Sequence, residues 1–553
     1  MKRIYKNMKF VAVALLAFSL SNCNDELTTN SSTDIDENTI LGSTTGLNMA
    51  LNSAYKYLLM GEQGGSSQND ACYAGVTGLC MYYDLPGADI MSTKNYGGSV
   101  EDSYRLTEGR TQAAGDYSKR IWTNMYKIIN QANIIIDALP EASGDESEKP
   151  VIKGQCLAMR GISYFNLLLN YQQTYAIAKD KRGVILRTSS SEPDSKGFST
   201  VEECYKQVLD DLTAAKSLLA SYDREEQWKL NVDVVSGYLA RVYQVMGDWD
   251  KALAEAKSVY DKYNTLMSKE EWCSGFDNLL SDGCKEVIWG LNFTNLSNIS
   301  SNTEFNYWYN QDPSYGEGMT DGPIYSFINL FVDDKFVQLF DETDFRGSKC
   351  TKTESVTDDD VKSVMFWHRT ANGDKEIAAK WAYNKFKYYG DANGAPQGHT
   401  YPEFSLMRSA EMLLIMAEAE ANLNNTANAL TYLNTLQSAR NVAKPTTTTA
   451  KTELLESIYV ERRKELLGEG VTGMYDLLRL QKPLYRYGAT ASNPAGHFSL
   501  GMTYLDNYNA ADAEPYGYLP SNDYRFLCQI PQLEFTNNDA IDASKDQNPF
   551  RGQ

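Results

Sequence analysis

Residues 237–256 constrain the fold of this chain more than any other stretch. Tyr238, Leu239, Val242 and Met246 fall on one face of a helix. Gly247 suits a left-handed C-terminal cap and Asp248 the next N-cap, so Trp249, Ala252, Leu253, Ala256 and Tyr260 open a second helix after a minimal turn. Helices joined this tightly must pack on each other and on further helices. The same 3.6-residue period recurs upstream. Trp122, Met125, Tyr126, Ile129, Asn133 and Ile136 share a face of a helix ending before Pro140. Leu157, Gly161, Tyr164, Phe165 and Leu168 share another, with Gly161 permitting the close approach that a helical hairpin needs. Tyr205, Val208, Leu209, Leu212, Ala215 and Leu218 form a further stripe.

The run from Gly237 to Ala256 resembles a tetratricopeptide repeat, in which small and large apolar residues alternate on two helices around a glycine turn. A similar unit returns between Leu406 and Arg440. There Ala410, Leu413, Leu414, Ala417 and Ala421 make one stripe, and Ala427, Leu430, Leu433 and Leu436 the next. Tandem arrays keep a fixed period, so the long interval between the two units reads as an excursion carried on the repeat scaffold. Excursions of that kind usually hold the function.

Segments 61–115 and 290–400 are rich in Gly, Asn, Ser and Tyr without a sustained helical period, and they read as structured loops with short strands. Tyrosines number 37 against 19 phenylalanines, which biases the aromatic inventory toward rings with an apolar face and a polar tip. Such rings suit sugars.

The first 22 residues read as an export signal. Lys2, Arg3, Lys6 and Lys9 form a basic start, and Phe10 to Leu20 is an apolar run too short to span a bilayer. Leu20-Ser21-Asn22-Cys23 reads as a bacterial lipobox, so the mature protein is expected to begin at Cys23 with its thiol and amine acylated. Several acyl chains give a stable anchor. Residues 24–40 are polar and acidic, as suits a flexible tether. The whole chain carries a formal charge of −20, and loss of the signal removes four basic side chains, leaving −24. A body this acidic argues against nucleic acid as a partner.

Eight cysteines follow Cys23, and in an oxidising compartment Cys72/Cys80 and Cys273/Cys284 are spaced to form disulfides. Cys156 and Cys204 lie in helical patterns and read as buried thiols. Enzyme signals are thin. Histidine occurs only at His368, His399 and His497, and no HExxH, GxSxG, P-loop or Cys/His metal pattern is present. Asp333-Asp334 and Asp358-Asp359-Asp360 read as solvated surface, so neither metal nor cofactor is expected. Glu461, Arg462, Glu465, Asp476 and Arg479 offer the paired carboxylates a glycosidase needs. Their helical spacing favours Arg–carboxylate forks that lock helices together, and they are assigned to the scaffold, as Trp122, Tyr126 and Trp249 are to the core.

Several stretches together resemble the SusD/RagB family, the surface lipoproteins of Bacteroidota. Trp122-x3-Tyr126-x5-Ala132-Asn133 and Met159-Arg160-Gly161-x2-Tyr164-Phe165 resemble its early helices. Arg408-x2-Glu411-x6-Glu418-Ala419-Glu420, Leu433-Asn434-x5-Arg440 and Glu461-Arg-Arg-Lys-Glu-Leu466-x2-Glu469-Gly470 resemble its C-terminal half. Ile530-Pro531-x2-Glu534 and Asp546-Gln547-Asn548-Pro549 resemble its ending, although Phe550-Arg551 replace the usual Gly-Tyr.

The resemblance implies a mainly α fold, a tetratricopeptide-like helical repeat scaffold with a large loop-rich excursion. The expected layout is a lipoprotein signal at 1–22, an acidic tether at 23–45 and one SusD-like domain at 46–553. Helical repeats then fall at about 115–265 and 403–480, and ligand-facing loops at about 61–114 and 290–400. The resemblance also implies an outer-membrane protein facing the cell exterior, which holds a glycan without cleaving it and hands it to a SusC-like TonB-dependent transporter. Peptide capture for the same kind of transporter and glycan hydrolysis are the alternatives. Binding residues follow no motif in the family, so location selects them: Tyr83, Asn95 and Tyr96 before the first repeat helix, and Tyr307, Trp308, Tyr309, Tyr315 and Tyr325 in the excursion. Cys23 is the expected lipid attachment.

Overall fold

The computed structural model describes residues 40–61, 75–92, 103–106, 115–273, 282–291, 330–350, 365–370, 373–378, 403–488, 505–509 and 514–549, with isolated positions between them. Its main helices are α1 (Thr44–Leu59), α2 (Val76–Asp84), α3 (Asp116–Ala138), α4 (Glu148–Tyr171), α5 (Val201–Leu218) and α6 (Val232–Met246). They continue as α7 (Trp249–Tyr260), α8 (Ser409–Asn422), α9 (Thr426–Ala439), α10 (Lys451–Leu466) and α11 (Gly473–Arg479).

Apolar stripes stack these helices: α1 on α3, α3 on α4, α4 on α5, α5 on α6, α6 on α7, and α7 directly on α8. Residues 261–408 therefore leave a continuous stack and rejoin it, as the interval between the two repeat units predicts. The turn between α6 and α7 has the expected left-handed Gly247, at φ +75°. Asp248 occupies the next N-cap position, but its carboxylate binds Lys251 Nζ at 2.7 Å instead of capping the backbone. A methyl group on Gly161 would stand 3.0 Å from Leu212 Cγ, so its close approach serves the packing of α4 on α5.

Among the described residues helices also lie where the sequence reads as loop, the short Asp334–Val337 and Phe345–Cys350 and the longer α2. All nine residues of α2 are buried, so it carries no polar face and no amphipathic stripe from which to recognise it.

The strands pair two by two, all antiparallel: β1 (Ile90–Ser92) with β3 (Leu330–Val332), β2 (Val287–Leu291) with β6 (Phe404–Arg408), β4 (Met365–Thr370) with β5 (Gly373–Ala378), and β7 (Leu484–Tyr487) with β8 (Tyr516–Leu519). The β2/β6 pair joins Val287 to Arg408 and Leu291 to Phe404, and so ties together the two ends of residues 292–403.

Beneath that root lies a buried ion cluster. Glu465 accepts from Arg408 at 2.8 Å, Arg440 at 3.0 Å and Arg346 at 2.9 Å. Glu469 is shared by Arg408 and by Lys385 at 2.6 Å, Glu286 by Arg408 and by Arg440 at 3.0 Å, and Asp344 by Arg346 and Lys464, both at 2.7 Å. Glu461 completes the set through Arg346 at 2.5 Å. Buried charge is tolerated only when paired and hydrogen-bonded, and each carboxylate here has at least one cationic partner. Burial alone would raise the Glu465 pKa, but Arg440, Arg408 and Arg346 hold it well below the usual carboxylate range.

Smaller braces follow the same rule. Arg160 forks onto Asp211 between α4 and α5, and Arg241 onto Glu411 between α6 and α8. Arg462 holds Asp476, and Arg479 spans Asp476 and Glu418. The charged residues assigned to the scaffold are thus cross-helix ties. The closing segment docks in the same polar manner. Gln547 exchanges two 2.8 Å hydrogen bonds with the backbone of Ile530, and Asn548 Nδ2 donates to the carbonyls of Tyr171 at 2.8 Å and Cys528 at 2.7 Å.

Cys273 and Cys284 are separate thiols in this structure, as is Cys80, while Cys72 lies outside the described residues. Cys156 and Cys204 are buried thiols, as their helical setting implies.

Candidate functional site

Tyr83 is the one sequence-selected glycan-binding residue within the described set, and it sits inside the packing of α2. Its hydroxyl donates to Asn166 Oδ1 at 3.0 Å and accepts from Asn170 Nδ2 at 2.8 Å, while its ring meets Tyr475 edge-on at 6.5 Å. At 4% exposure it presents no face to a ligand, a correction to its selection. The reason is the unrecognised helix: in a helix buried all round, the tyrosine tip finds its partners inside. Asn95, Tyr96, Tyr307, Trp308, Tyr309, Tyr315, Tyr325 and the lipid-attachment Cys23 lie outside the described residues.

Their places of attachment are described. Ser92 and Leu330 are register partners at one end of the β1/β3 ribbon. Residue 93 follows directly on Ser92 and residue 329 precedes Leu330, so the two loop segments chosen from sequence spring from one short sheet.

Beside that ribbon opens a cavity of about 510 Å³. Gly87 to Asp89 and Asp333 form one side, Tyr459 and Arg463 of α10 another, and residues 482–487 a third. Arg463 forks onto Asp89, with Nε–Oδ2 at 2.9 Å. Burial works against the Arg463 charge, yet Asp89 more than offsets it and raises the guanidinium pKa. Asp333 donates its N–H to the Asp89 carbonyl at 2.9 Å and caps the turn Asp334–Val337 by accepting from Lys335 N at 2.8 Å. Burial, helped by the charges of Asp89 and Asp334, pushes the Asp333 carboxyl up to about 7. Lys335 extends from the rim toward Tyr487, with its ammonium 5.6 Å from the ring centroid. Gly473, at φ +48°, lets this wall pass close to the backbone of Tyr83 and Asp84.

The third side is the edge of the β7/β8 pair, where the alternation of a half-buried strand is complete. Leu484 and Arg486 are buried while Tyr485 and Tyr487 point outward, 45% and 46% exposed. Across the ladder Tyr485 faces Tyr518 and Tyr487 faces Tyr516. These tyrosines escape the sequence reading because four-residue strands are too short for a period of two to stand out. The only signal is the repeated pattern of tyrosines two apart, Tyr485/Tyr487 and Tyr516/Tyr518.

Trp249, expected in the core, is half-buried on the wall of a second cavity of about 420 Å³, next to Met246 and Leu480. The first turn of α7 is too near the edge of the stack to enclose an indole. Tyr459 and Lys482 line both cavities. Among the described residues no group of His, Cys, Asp and Glu is arranged to hold a metal ion, and no helix is long and apolar enough to cross a membrane.

Taken together, a helical stack with an inserted excursion, a polar-docked C-terminus and an open, tyrosine-rimmed cavity can be set beside known proteins. Residues 87–244 match the family described as starch-binding associating with outer membrane, and residues 379–550 match the SusD family. The chain belongs to the SusD/RagB family. A SusD-like carbohydrate binding protein of Bacteroides vulgatus shares this SusD fold with a TM-score of 0.70 and 26% identity, covering 92% of this chain and 99% of that one. A SusD superfamily protein of Bacteroides thetaiotaomicron also gives 0.70 and 26%, over 92% and 100%. A SusD-like protein of Formosa agariphila is 23% identical over 410 residues, 69% of this chain and 76% of its own. The two family matches take in the helices up to residue 244, the second repeat unit and the docked ending. At the level of the family, they place such proteins on the outer-membrane surface with carbohydrate as ligand.

Proposed function

We propose that this chain is a surface lipoprotein that captures a glycan without cleaving it and passes it to a SusC-like TonB-dependent transporter. The observation that carries the reading is the shared root of the two loop segments at one end of the β1/β3 ribbon, whose other end leads through Asp89 and Asp333 into the wall of a cavity rimmed by tyrosines. Sugar rings present C–H faces to tyrosine and tryptophan while their hydroxyls bond to polar side chains, so such a rim selects glycan shape at modest affinity. Modest affinity permits handover. Asn95, Tyr96, Tyr307, Trp308, Tyr309, Tyr315 and Tyr325 are the proposed contacts from the loops, and acylated Cys23 the proposed anchor.

Titration calorimetry of the mature protein against a polysaccharide panel tests the reading, with product analysis after long incubation. The expected result is reversible binding of at least one polysaccharide, weakened by Trp308→Ala, with no new reducing ends. Binding of peptides and of no sugar, or release of shortened glycan, overturns it. The anchor is tested by Cys23→Ala, which should lose the protein from the outer-membrane fraction.

A further inference from the structure

The outward face of the β7/β8 pair has no covering element among the described residues, and its composition is unusual for a bare surface. Tyr485, Tyr487 and Tyr516 are 45%, 46% and 43% exposed, and Tyr518 completes the set. Tyr485 and Tyr518 lie nearly parallel, with ring centroids 5.6 Å apart and planes at 24°. Successive outward residues on a strand stand about 6.6 Å apart and neighbouring strands about 4.8 Å, so four rings tile an area longer than one pyranose.

The platform is held from below. Arg486 is fully buried, and its guanidinium donates to the carbonyls of Gly87 at 3.0 Å, Tyr104 at 2.7 Å and Leu85 at 3.1 Å. Leu484 and Leu519 are buried on the same side. The rings therefore stand on a backbone already ordered, which reduces the cost of ordering a surface on binding. The face is also continuous with the cavity, since Tyr485 and Tyr487 line both. Lys335 reaches the same rim beside Tyr487 and forms no ion pair among the described residues, leaving a donor for a ligand oxygen.

We propose that Tyr485, Tyr487, Tyr516 and Tyr518 form a stacking platform for a linear oligosaccharide of at least two residues, which runs from the cavity mouth across the β7/β8 ladder with Lys335 donating to its oxygens. The proposal rests on glycan capture as the function and adds a contact surface outside the loop segments. The continuity of the tyrosine face with the cavity, and Lys335 at their shared rim, favour a sugar chain that runs out of the cavity over a protein partner.

The test is calorimetry of the whole mature protein with size-defined malto-, cello-, xylo- and galacturonan oligosaccharides of two to six residues. At least one series should bind more tightly as the chain lengthens. Tyr485→Ala with Tyr516→Ala should remove that gain, lowering affinity for the longest member about tenfold with unchanged circular dichroism. Lys335→Met should lower it about threefold. If the wild-type chain binds a series and the double variant binds it equally well, the platform is overturned while glycan capture stands. If the wild-type chain binds none of the series and no polysaccharide, the function itself fails.

Discussion

Arg346 reaches out of the excursion and donates to Glu465 of α10 at 2.9 Å, deep inside the protein. Arg408 and Arg440 converge on the same carboxylate. Glu465 thus joins the inserted residues to the repeat stack, and without it three guanidiniums share too few carboxylates. Glu465→Ala should cost about 4 kcal/mol of folding stability, because an uncompensated buried charge is far more harmful than the pair is helpful. Urea unfolding monitored by tryptophan fluorescence measures this, and a loss below about 1 kcal/mol contradicts the brace.

Asn548 does similar work with neutral groups. It bonds the Tyr171 and Cys528 carbonyls and accepts from Arg182, so it clips the closing segment to the end of α4. Asn548→Ala leaves buried carbonyls unsatisfied and should cost about 2–3 kcal/mol. Hydrogen exchange should quicken at 528–530 and 547–549 first. Exchange unchanged there would show that the clip is idle.

How much of this was legible follows from where the information resides. Helices with one apolar stripe, such as α3 around Trp122 and Ile129, announce themselves, and so does the turn at Gly247. The inserted excursion was legible too, because two similar units stand too far apart for a tandem array. Helix α2 was hidden because burial on every side erases the stripe, and Tyr83 was misplaced with it. Asp248 shows a different limit, since a cap position does not guarantee a cap bond when Lys251 lies one turn on. The cavity was out of reach for a third reason. Its walls come from residues 87–89, 333–339, 459–463 and 473–487, which only the completed fold brings together.

Gly473 and Gly283 separate two kinds of glycine requirement. Both have positive φ, +48° and +73°, but a methyl on Gly473 would lie 2.4 Å from the Tyr83 carbonyl oxygen, whereas nothing stands within 4 Å at Gly283. Gly283→Ala should cost about 1 kcal/mol of backbone strain. Gly473→Ala should cost about 3 kcal/mol or more, because backbone must move as well. Thermal unfolding of the two variants checks the ranking, and equal losses contradict it.

Two buried carboxyls give the protein a pH dependence opposite in sign to that of its ion pairs. Burial pushes Asp84 and Asp333 each up to about 7. A group whose folded pKa exceeds its unfolded value stabilises fully below the unfolded pKa, near 4, and that contribution is lost as pH rises through about 7. The groups facing Asp333 are Asp89, Asp334, Lys335, Arg486 and the neutral His497, whose Nε2 stands 3.9 Å away and whose own pKa burial lowers to about 3. Asparagine mimics the protonated acid and can still cap Asp334–Val337. Asp333→Asn should therefore match the wild type at pH 4 and exceed it by about 4 kcal/mol at pH 8. Asp84 behaves differently, since its carboxylate accepts from Gly468 N at 2.7 Å, Gly470 N at 3.2 Å and Thr472 Oγ1 at 2.6 Å. An amide there keeps its oxygen on the two backbone donors only by turning its nitrogen to the Thr472 hydroxyl, so Asp84→Asn should gain less on the wild type at pH 8 than Asp333→Asn does. Urea midpoints for the two variants across pH 4–8 decide the matter, and a constant offset for Asp333→Asn across that range contradicts the titration.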